Sequence, residues 1–171
     1  MPLNNPITPA LLADPEIFQQ NRLPFHAHFA DQTSPEMPLV VSLDGAWSFR
    51  YAENLTAPFS EWHTLTVPGF IQLLHPGEIP QAYNPIGEYR RSFTLPENWA
   101  SCYLRLNGAD SAAAVWCNGV YIGYTEDAFT PAEFDMTAAI HPGENTLTVQ
   151  VYRFCSGSWL ECQDFWRLSG I

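Results

Sequence analysis

Two stretches of the sequence combine side chains that could bind a polar ligand. In the first, residues 83–87 (YNPIG), Pro85 restricts Asn84 to extended backbone conformations and Gly87 permits a sharp bend. We therefore expect the Asn84 amide to project from a rigid loop as a candidate ligand contact. The alternative interpretation is an Asx turn, in which this amide hydrogen-bonds its own backbone.

The second stretch, residues 159–167 (WLECQDFWR), places carboxylates and an amide among aromatic rings and a thiol. Sugars offer hydroxyl groups to such acceptors and C–H faces to aromatic rings, so this composition suits a carbohydrate site. The alternative is a salt bridge between Asp164 and Arg167 at a domain edge. Sequence spacing alone leaves both interpretations open.

Motifs of several other chemistries are absent from the sequence. It contains no GxSxG nucleophile motif and no glycine-rich phosphate loop. His26 and His28 lie two residues apart without a third metal ligand nearby, so a packed or surface role is the simpler interpretation. The cysteines lack CxxC spacing and are expected to be free, buried thiols. They are Cys102, Cys117, Cys155 and Cys162.

The composition bounds the class of protein. A chain of 171 residues with 46% apolar residues suffices for one hydrophobic core. Seven basic against 18 acidic residues give a net charge of −11, which disfavours nucleic acid and anionic membranes as partners. Neither a secretion signal nor an apolar run of the ~18 to 20 residues that span a bilayer is present. These observations predict a soluble, cytoplasmic protein.

The secondary structure predicted for residues 1–38 differs from that predicted for residues 39–171. Residues 1–38 contain seven prolines, which predict an irregular arm with at most a short helix at residues 14–20, capped by Asp14. Residues 39–171 are predicted to form the folded domain, on which the arm lies.

Alternation of apolar and polar residues predicts strands throughout residues 39–171. Trp47, Phe49 and Tyr51 recur at every second position, which is the period of a half-buried strand. Asn118-Gly119 predicts a tight hairpin, because both central residues of a type I′ turn need positive φ. Further strands are predicted at residues 88–95, 103–107, 112–117, 120–124 and 146–151. The expected fold is all-β, an antiparallel sandwich of the jelly-roll type.

Several blocks of the sequence, in order, resemble one known domain. The chain is similar to the N-terminal sugar-binding domain of lac-type β-galactosidases, which belong to glycoside hydrolase family two. The matching blocks are residues 21–24 (NRLP) with His26, 43–49 (LDGAWSF), 67–68 (VP), 84–90 (NPIGEYR), 116–124 (WCNGVYIGY), 131–135 (PAEFD), 143–145 (GEN) and 163–171 (QDFWRLSGI).

This resemblance implies a galactose-binding-domain-like jelly roll that forms part of an active-site wall. Both catalytic glutamates of the family come from a separate (β/α)8 barrel, which needs roughly 250 residues, so this chain alone is expected to be inactive. By similarity, Asn84 contacts the galactosyl hydroxyls, and Asp164 binds the sugar and helps to hold a sodium ion. The other sodium ligands belong to the barrel. No ordered metal is therefore expected in the isolated domain, whereas sodium and magnesium are expected in the intact enzyme.

The sequence also departs from the family pattern. Phe70 stands where a tryptophan is common, Cys162 replaces a common acidic residue, and Cys155-Ser156 replaces a Ser-Asp pair. These changes disfavour a peripheral magnesium site and leave Asn84 and Asp164 untouched.

Two other functions remain open from the sequence, a free-standing carbohydrate-binding module and a scaffold for oligomer contacts. We expect the parent enzyme to be a homo-oligomer. Because the Asp164 motif normally faces other domains, Trp159, Phe165 and Trp166 are expected to be exposed in the isolated chain.

Overall fold

A computed structural model describes residues 3–25, 40–69, 84–95, 101–161 and 168–171, with the backbone alone for residues 159–161. In this part of the chain there are two short helices and nine strands. They are α1 (Pro9–Ala13), β1 (Gln19–Gln20), β2 (Gly45–Ala52), β3 (His63–Val67), β4 (Ile86–Leu95), β5 (Tyr103–Leu106), β6 (Ala112–Cys117), β7 (Val120–Thr125), β8 (Ala132–Asp135), β9 (Gly143–Tyr152) and α2 (Ser156–Glu161).

The strands form two antiparallel sheets. The larger sheet has seven strands in the order β1-β7-β6-β9-β4-β2-β3, and the smaller pairs β5 with β8. One hydrophobic core joins the two sheets, since Leu104 of β5 and Phe134 of β8 pack with Val115 and Val149 of the larger sheet. The predicted all-β antiparallel sandwich is confirmed.

Alternation along β2 shows why these residues form strands. Trp47 and Phe49 are buried in the core between the sheets, whereas Ser48 between them is exposed. A strand points successive side chains to opposite faces, so Trp47 and Phe49 face the core while Ser48 faces the other way.

The predicted hairpin at Asn118-Gly119 is also confirmed. Both residues have positive φ, 51° and 80°, and β6 and β7 pair on either side of them. The Asn118 side chain further stabilises this end of the sheet. Its amide group donates to the Ala139 carbonyl at 2.8 Å, and its carbonyl oxygen accepts from the Thr146 N–H at 2.8 Å.

The arm helix lies elsewhere than predicted. Helix α1 covers Pro9–Ala13, because Thr8 caps it by accepting from the Leu11 N–H at 3.2 Å and Pro9 suits its first turn. The predicted helix at residues 14–20 is wrong. Asp14 instead holds a turn through the Glu16 N–H at 3.0 Å, and Gln19–Gln20 pairs with the edge of β7.

Residues 4–12 of the arm lie on the outer face of the larger sheet. The Trp116 indole donates to the Asn4 carbonyl at 3.1 Å, and the Asn5 amide donates to Gln150 at 3.0 Å. Ile7 and Leu12 are buried against this face. The boundary between residues 38 and 39 lies outside the described residues and stays a prediction. No helix in the described ranges is long and apolar enough to cross a membrane.

Candidate functional site

A groove of about 480 Å³ opens at the end of the larger sheet where β4 begins and β2 and β9 end. Three parts of the chain form its walls: α1 of the arm, the turn after β2, and the segment that follows β9. Asn84 lies where these walls meet. A volume of this size is within the range of small-molecule sites.

Asn84 is held rigidly by the backbone of Phe154. Its carbonyl oxygen accepts from the Phe154 N–H at 2.8 Å, and its amide nitrogen donates to the Phe154 carbonyl. The Arg153 N–H also donates to the Pro85 carbonyl at 3.0 Å. The Asn84 amide therefore bonds backbone 70 residues later, not its own as in an Asx turn. Among the described residues the Asn84 amide has no further partner, so one of its N–H groups and one lone pair of its oxygen are open to a ligand.

A buried carboxylate that the sequence interpretation missed holds the next part of the wall. Glu126 is 2% exposed and accepts from the Tyr124 hydroxyl at 2.7 Å, the Ser156 hydroxyl at 2.6 Å and the Gly157 N–H at 2.9 Å. These bonds fix the start of α2 beside the groove. No local pattern marks Glu126, since its partners lie up to 31 residues away.

The Cys155 thiol, beside the groove, is shielded from solvent. Cys155 lines the groove but is only 4% exposed, and its backbone N–H donates to the Ser158 hydroxyl at 2.9 Å. Burial is the main cause that raises the pKa of the Cys155 thiol to about 12, so it is not a nucleophile at neutral pH. Cys102 and Cys117 are likewise free and buried, as predicted.

Asp164 lies outside the described residues, so its predicted pairing with Asn84 stays a prediction. The chain on both sides of it is anchored at the end of the sheet that carries Asn84. Helix α2 starts beside Glu126, and Gly170 exchanges two backbone hydrogen bonds with Asp110, at 3.1 and 3.3 Å. Asp110 immediately precedes Ser111, whose N–H donates to the last residue of β9, Tyr152.

Other predictions also fall outside the described part of the chain. These concern His26, His28, Phe70, Cys162, Phe165, Trp166, Arg167 and the Trp159 side chain.

The described residues do not by themselves form a cation site. No group of three or more His, Cys, Asp or Glu side chains among them could hold a metal ion. Near Asn84, the Glu126 carboxylate is committed to three donors, and Asp110 accepts from the Ser111 hydroxyl at 2.7 Å and faces Arg153 at 3.6 Å. Because both carboxylates are already engaged by protein donors, neither suits a sodium ion in this arrangement.

Comparison with known proteins identifies the family to which this domain belongs. Residues 40–171 match the family model described as glycosyl hydrolases family 2, sugar binding domain. A β-galactosidase of Priestia megaterium is 39% identical over 92% of this chain and 19% of its own length. A β-galactosidase of Clostridium acetobutylicum is 36% identical over 99% of this chain and 23% of its own length.

A solved structure with the same fold is a Bifidobacterium dentium β-glucuronidase complexed with coumarin-3-O-glucuronide. It is 37% identical, with a TM-score of 0.54 over 64% of this chain and 19% of that chain. The present chain thus spans about a fifth of the length of these relatives. The chain belongs to the sugar-binding domain family of the family 2 glycosyl hydrolases.

Proposed function

We propose that this chain is the sugar-binding domain of a β-galactosidase and forms part of the active-site wall for retaining hydrolysis of terminal β-D-galactosides. The observation that carries the proposal is the identity of 36 to 39% with β-galactosidases over nearly the whole chain. The catalytic carboxylates belong to the rest of the parent protein, and the chain alone does not hydrolyse galactosides.

In this proposal Asn84 is the sugar contact of the domain. Its amide is fixed by Phe154, so its unused N–H and lone pair are presented to a sugar hydroxyl without loss of side-chain freedom. Asp164 is the second contact and one ligand of a sodium ion, with further ligands from the rest of the enzyme. The anchoring of residues 156–157 by Glu126 and of residue 170 by Asp110 at the Asn84 end of the sheet supports this pairing.

The test uses the parent enzyme with Asn84→Ala and with Asp164→Asn, assayed with an aryl β-galactoside. We expect kcat/KM to fall at least tenfold in each variant, because contacts to sugar hydroxyls are lost. In the Asp164 variant we expect activation by sodium to weaken as well. Asn107→Asp is the matched control, since this asparagine accepts from Arg105 at 2.9 Å outside the groove. Unchanged kinetics in both site variants would contradict the site assignment.

A β-glucuronidase is the second candidate, favoured by the similarity to the Bifidobacterium dentium enzyme. A glucuronide carries a carboxylate, which basic side chains would recognise. Among the described residues that line the groove, none is basic, so a neutral sugar fits better. Parallel assays of the parent enzyme with aryl β-galactoside and aryl β-glucuronide decide between the two.

A free-standing carbohydrate-binding module would bind sugars more tightly than a domain that forms only one wall of an active site. We expect the isolated chain to bind galactose and lactose no more tightly than ~1 mM, about −4 kcal/mol, because one wall buries little of the sugar. Micromolar binding in a calorimetric titration would favour the module instead.

The finer assignments belong to the same proposal. The sandwich follows a jelly-roll connectivity, the parent enzyme works in the cytoplasm as a homo-oligomer, and it uses magnesium as well as sodium. Sedimentation of the parent protein tests the oligomer, and chelation followed by readdition of magnesium tests the metal.

A further inference from the structure

The groove extends beyond Asn84 to residues that the family resemblance does not assign. On one side the turn after β2 contributes Asn54 and Thr56, and on the other the segment after β9 contributes Phe154. These residues are brought together because the end of β2 lies directly beside the start of β4, where Ala52 pairs with Ile86.

The Asn54 amide has a fixed orientation. Its carbonyl oxygen accepts from the Thr56 N–H at 2.9 Å, the Thr56 hydroxyl at 2.8 Å and the Ala57 N–H at 2.8 Å. Rotation of the amide by half a turn would replace this acceptor with a donor, so the NH₂ group must point away from the turn. Among the described residues, none accepts from this NH₂ group, so two oriented donors remain unused on a groove residue.

Phe154 supplies an aromatic surface to the same groove. Its side chain is 46% exposed although its backbone is fixed on both sides by Asn84. The Arg153 guanidinium lies 5.2 Å from the centre of the ring. A half-exposed ring on a fixed backbone, in the same groove as oriented amide donors, is suited to a sugar, whose C–H face packs on the ring while its hydroxyls bind the amides.

We propose that this part of the groove binds the second sugar unit of the substrate, the neutral hexose linked to the galactose that Asn84 contacts. The Asn54 NH₂ group donates to a hydroxyl of this unit, and the Phe154 ring packs against its C–H face. The inference rests on the proposed function, because Asn84 defines which sugar lies next to it. It adds Asn54 and Phe154 as residues that determine the preference for the leaving group.

The experiment follows the side-chain amide signals of ¹⁵N-labelled chain by NMR during titration with galactose and, separately, with lactose. We expect galactose to shift the Asn84 signals alone, and lactose to shift the signals of both Asn84 and Asn54. Resonances of the Phe154 ring should move with lactose. A lactose titration that leaves Asn54 and Phe154 unshifted well above millimolar sugar overturns the inference.

Two variants separate binding from folding. Asn54→Ser keeps an oxygen that can accept from the backbone of the turn and removes the NH₂ group, so the turn is retained while the amide donors are lost. We expect about tenfold weaker lactose binding and unchanged galactose binding, with the same result for Phe154→Leu, whereas Asn107→Ser binds both sugars normally. Normal lactose binding by Asn54→Ser would overturn the inference.

The failure of this inference is distinguishable from failure of the proposed function. If both sugars shift the Asn84 signals and neither shifts the Asn54 signals, the proposed site for the second sugar is wrong and the galactose contact at Asn84 is supported. If lactose shifts Asn54 and neither sugar affects Asn84, the groove binds a sugar, but Asn84 is not the galactose contact.

Discussion

Both faces of the seven-stranded sheet bury side chains, but by different means. The inner face, toward β5 and β8, is almost entirely apolar. Phe49, Val115 and Val149 of this face are 0% exposed, as is Phe134 of β8, which packs in the same core. The outer face, under the arm, buries Glu88, Gln150 and Tyr152. Apolar surface needs no specific partner, whereas each buried polar group must be paired. The outer face therefore demands a particular arrangement of the chain that covers it.

Strand register supplies that arrangement. Arg50, Glu88 and Gln150 lie directly opposite one another on β2, β4 and β9. Glu88 accepts from Arg50 at 2.7 Å and from the Gln150 amide at 2.6 Å. The Gln150 oxygen in turn accepts from the Tyr152 hydroxyl at 2.7 Å and the Asn5 amide at 3.0 Å. The inner face thus supplies apolar burial, and the outer face sets where the arm, one wall of the groove, is attached.

The largest effect is expected on the inner face. Phe134→Ala removes a ring that packs between the sheets, so it should lower the free energy of unfolding by about 3–5 kcal/mol. Urea denaturation followed by tryptophan fluorescence measures the change. Tyr103→Ala on the same small sheet is the control, since that side chain is 56% exposed and should cost less than ~0.5 kcal/mol. Equal costs for the two variants would mean that the inner face is not the main core.

On the outer face, Glu88→Ala should cost about 3 kcal/mol, because Arg50 and the Gln150 amide lose a shared, 1% exposed partner. The same urea experiment measures it. Glu144→Ala, at an exposed position of β9, is the matched control and should be close to neutral. A negligible cost for Glu88→Ala would show that the polar row does not hold this face together.

Alkaline pH should weaken both faces. Burial, and secondarily the neighbouring Cys102, raises the pKa of Cys117 on the inner face from 9.0 to about 11. On the outer face, burial raises the pKa of Cys155 from 9.0 to about 12. The neutral thiols are favoured in the folded chain, so their contribution is complete below pH 9.0 and is lost as the pH rises toward those values.

The expected slope is up to roughly 1.4 kcal/mol per pH unit for each thiol. Urea titrations at about pH 8 and about pH 10, for the wild type and for Cys117→Ala and Cys155→Ala, isolate each contribution. A variant that loses stability between these two pH values as steeply as the wild type would contradict the assignment for its thiol.

The smallest effect is expected where the arm meets the polar row. Asn5→Ala removes the hydrogen bond to Gln150, whose oxygen keeps the Tyr152 hydroxyl, and the bond that Asn5 accepts from the Ile7 N–H at 2.9 Å. The cost should be about 1 kcal/mol. Faster cleavage of the arm by a protease is the more sensitive measurement. Asn4→Ala is the control, because Asn4 binds Trp116 through its backbone carbonyl and that bond survives the substitution. Equal protection in both variants would mean that the Asn5 side chain does not anchor the arm.

Some parts of the fold were predictable from local pattern. The strands containing Trp47 and Val149 follow from period-two alternation, and the Asn118-Gly119 turn follows from the positive φ that its conformation requires. These features depend on residues that are close in sequence. Each of these features is therefore predictable from its own short segment of sequence.

Other parts were not predictable. The arm helix lies at Pro9–Ala13 and not at residues 14–20, because pairing of Gln19–Gln20 with β7 competes with local helix capping. Nothing in the sequence distinguishes Glu126 from the other acidic residues among the 18, yet it is buried and its carboxylate holds the start of α2. Its environment comes from a strand and a helix that only the fold brings together.

The sequence by itself determined the all-β class, the hairpin and the identity of Asn84 as a candidate contact, since backbone preference and hydrophobic period act over a few residues. Only the tertiary structure decided that the Asn84 amide is clamped by Phe154 and that Asn54 shares its groove. It also decided that the arm forms one wall of that groove. Hydrogen bonds between segments 70 or more residues apart depend on strand register and chain connectivity, which no local pattern encodes.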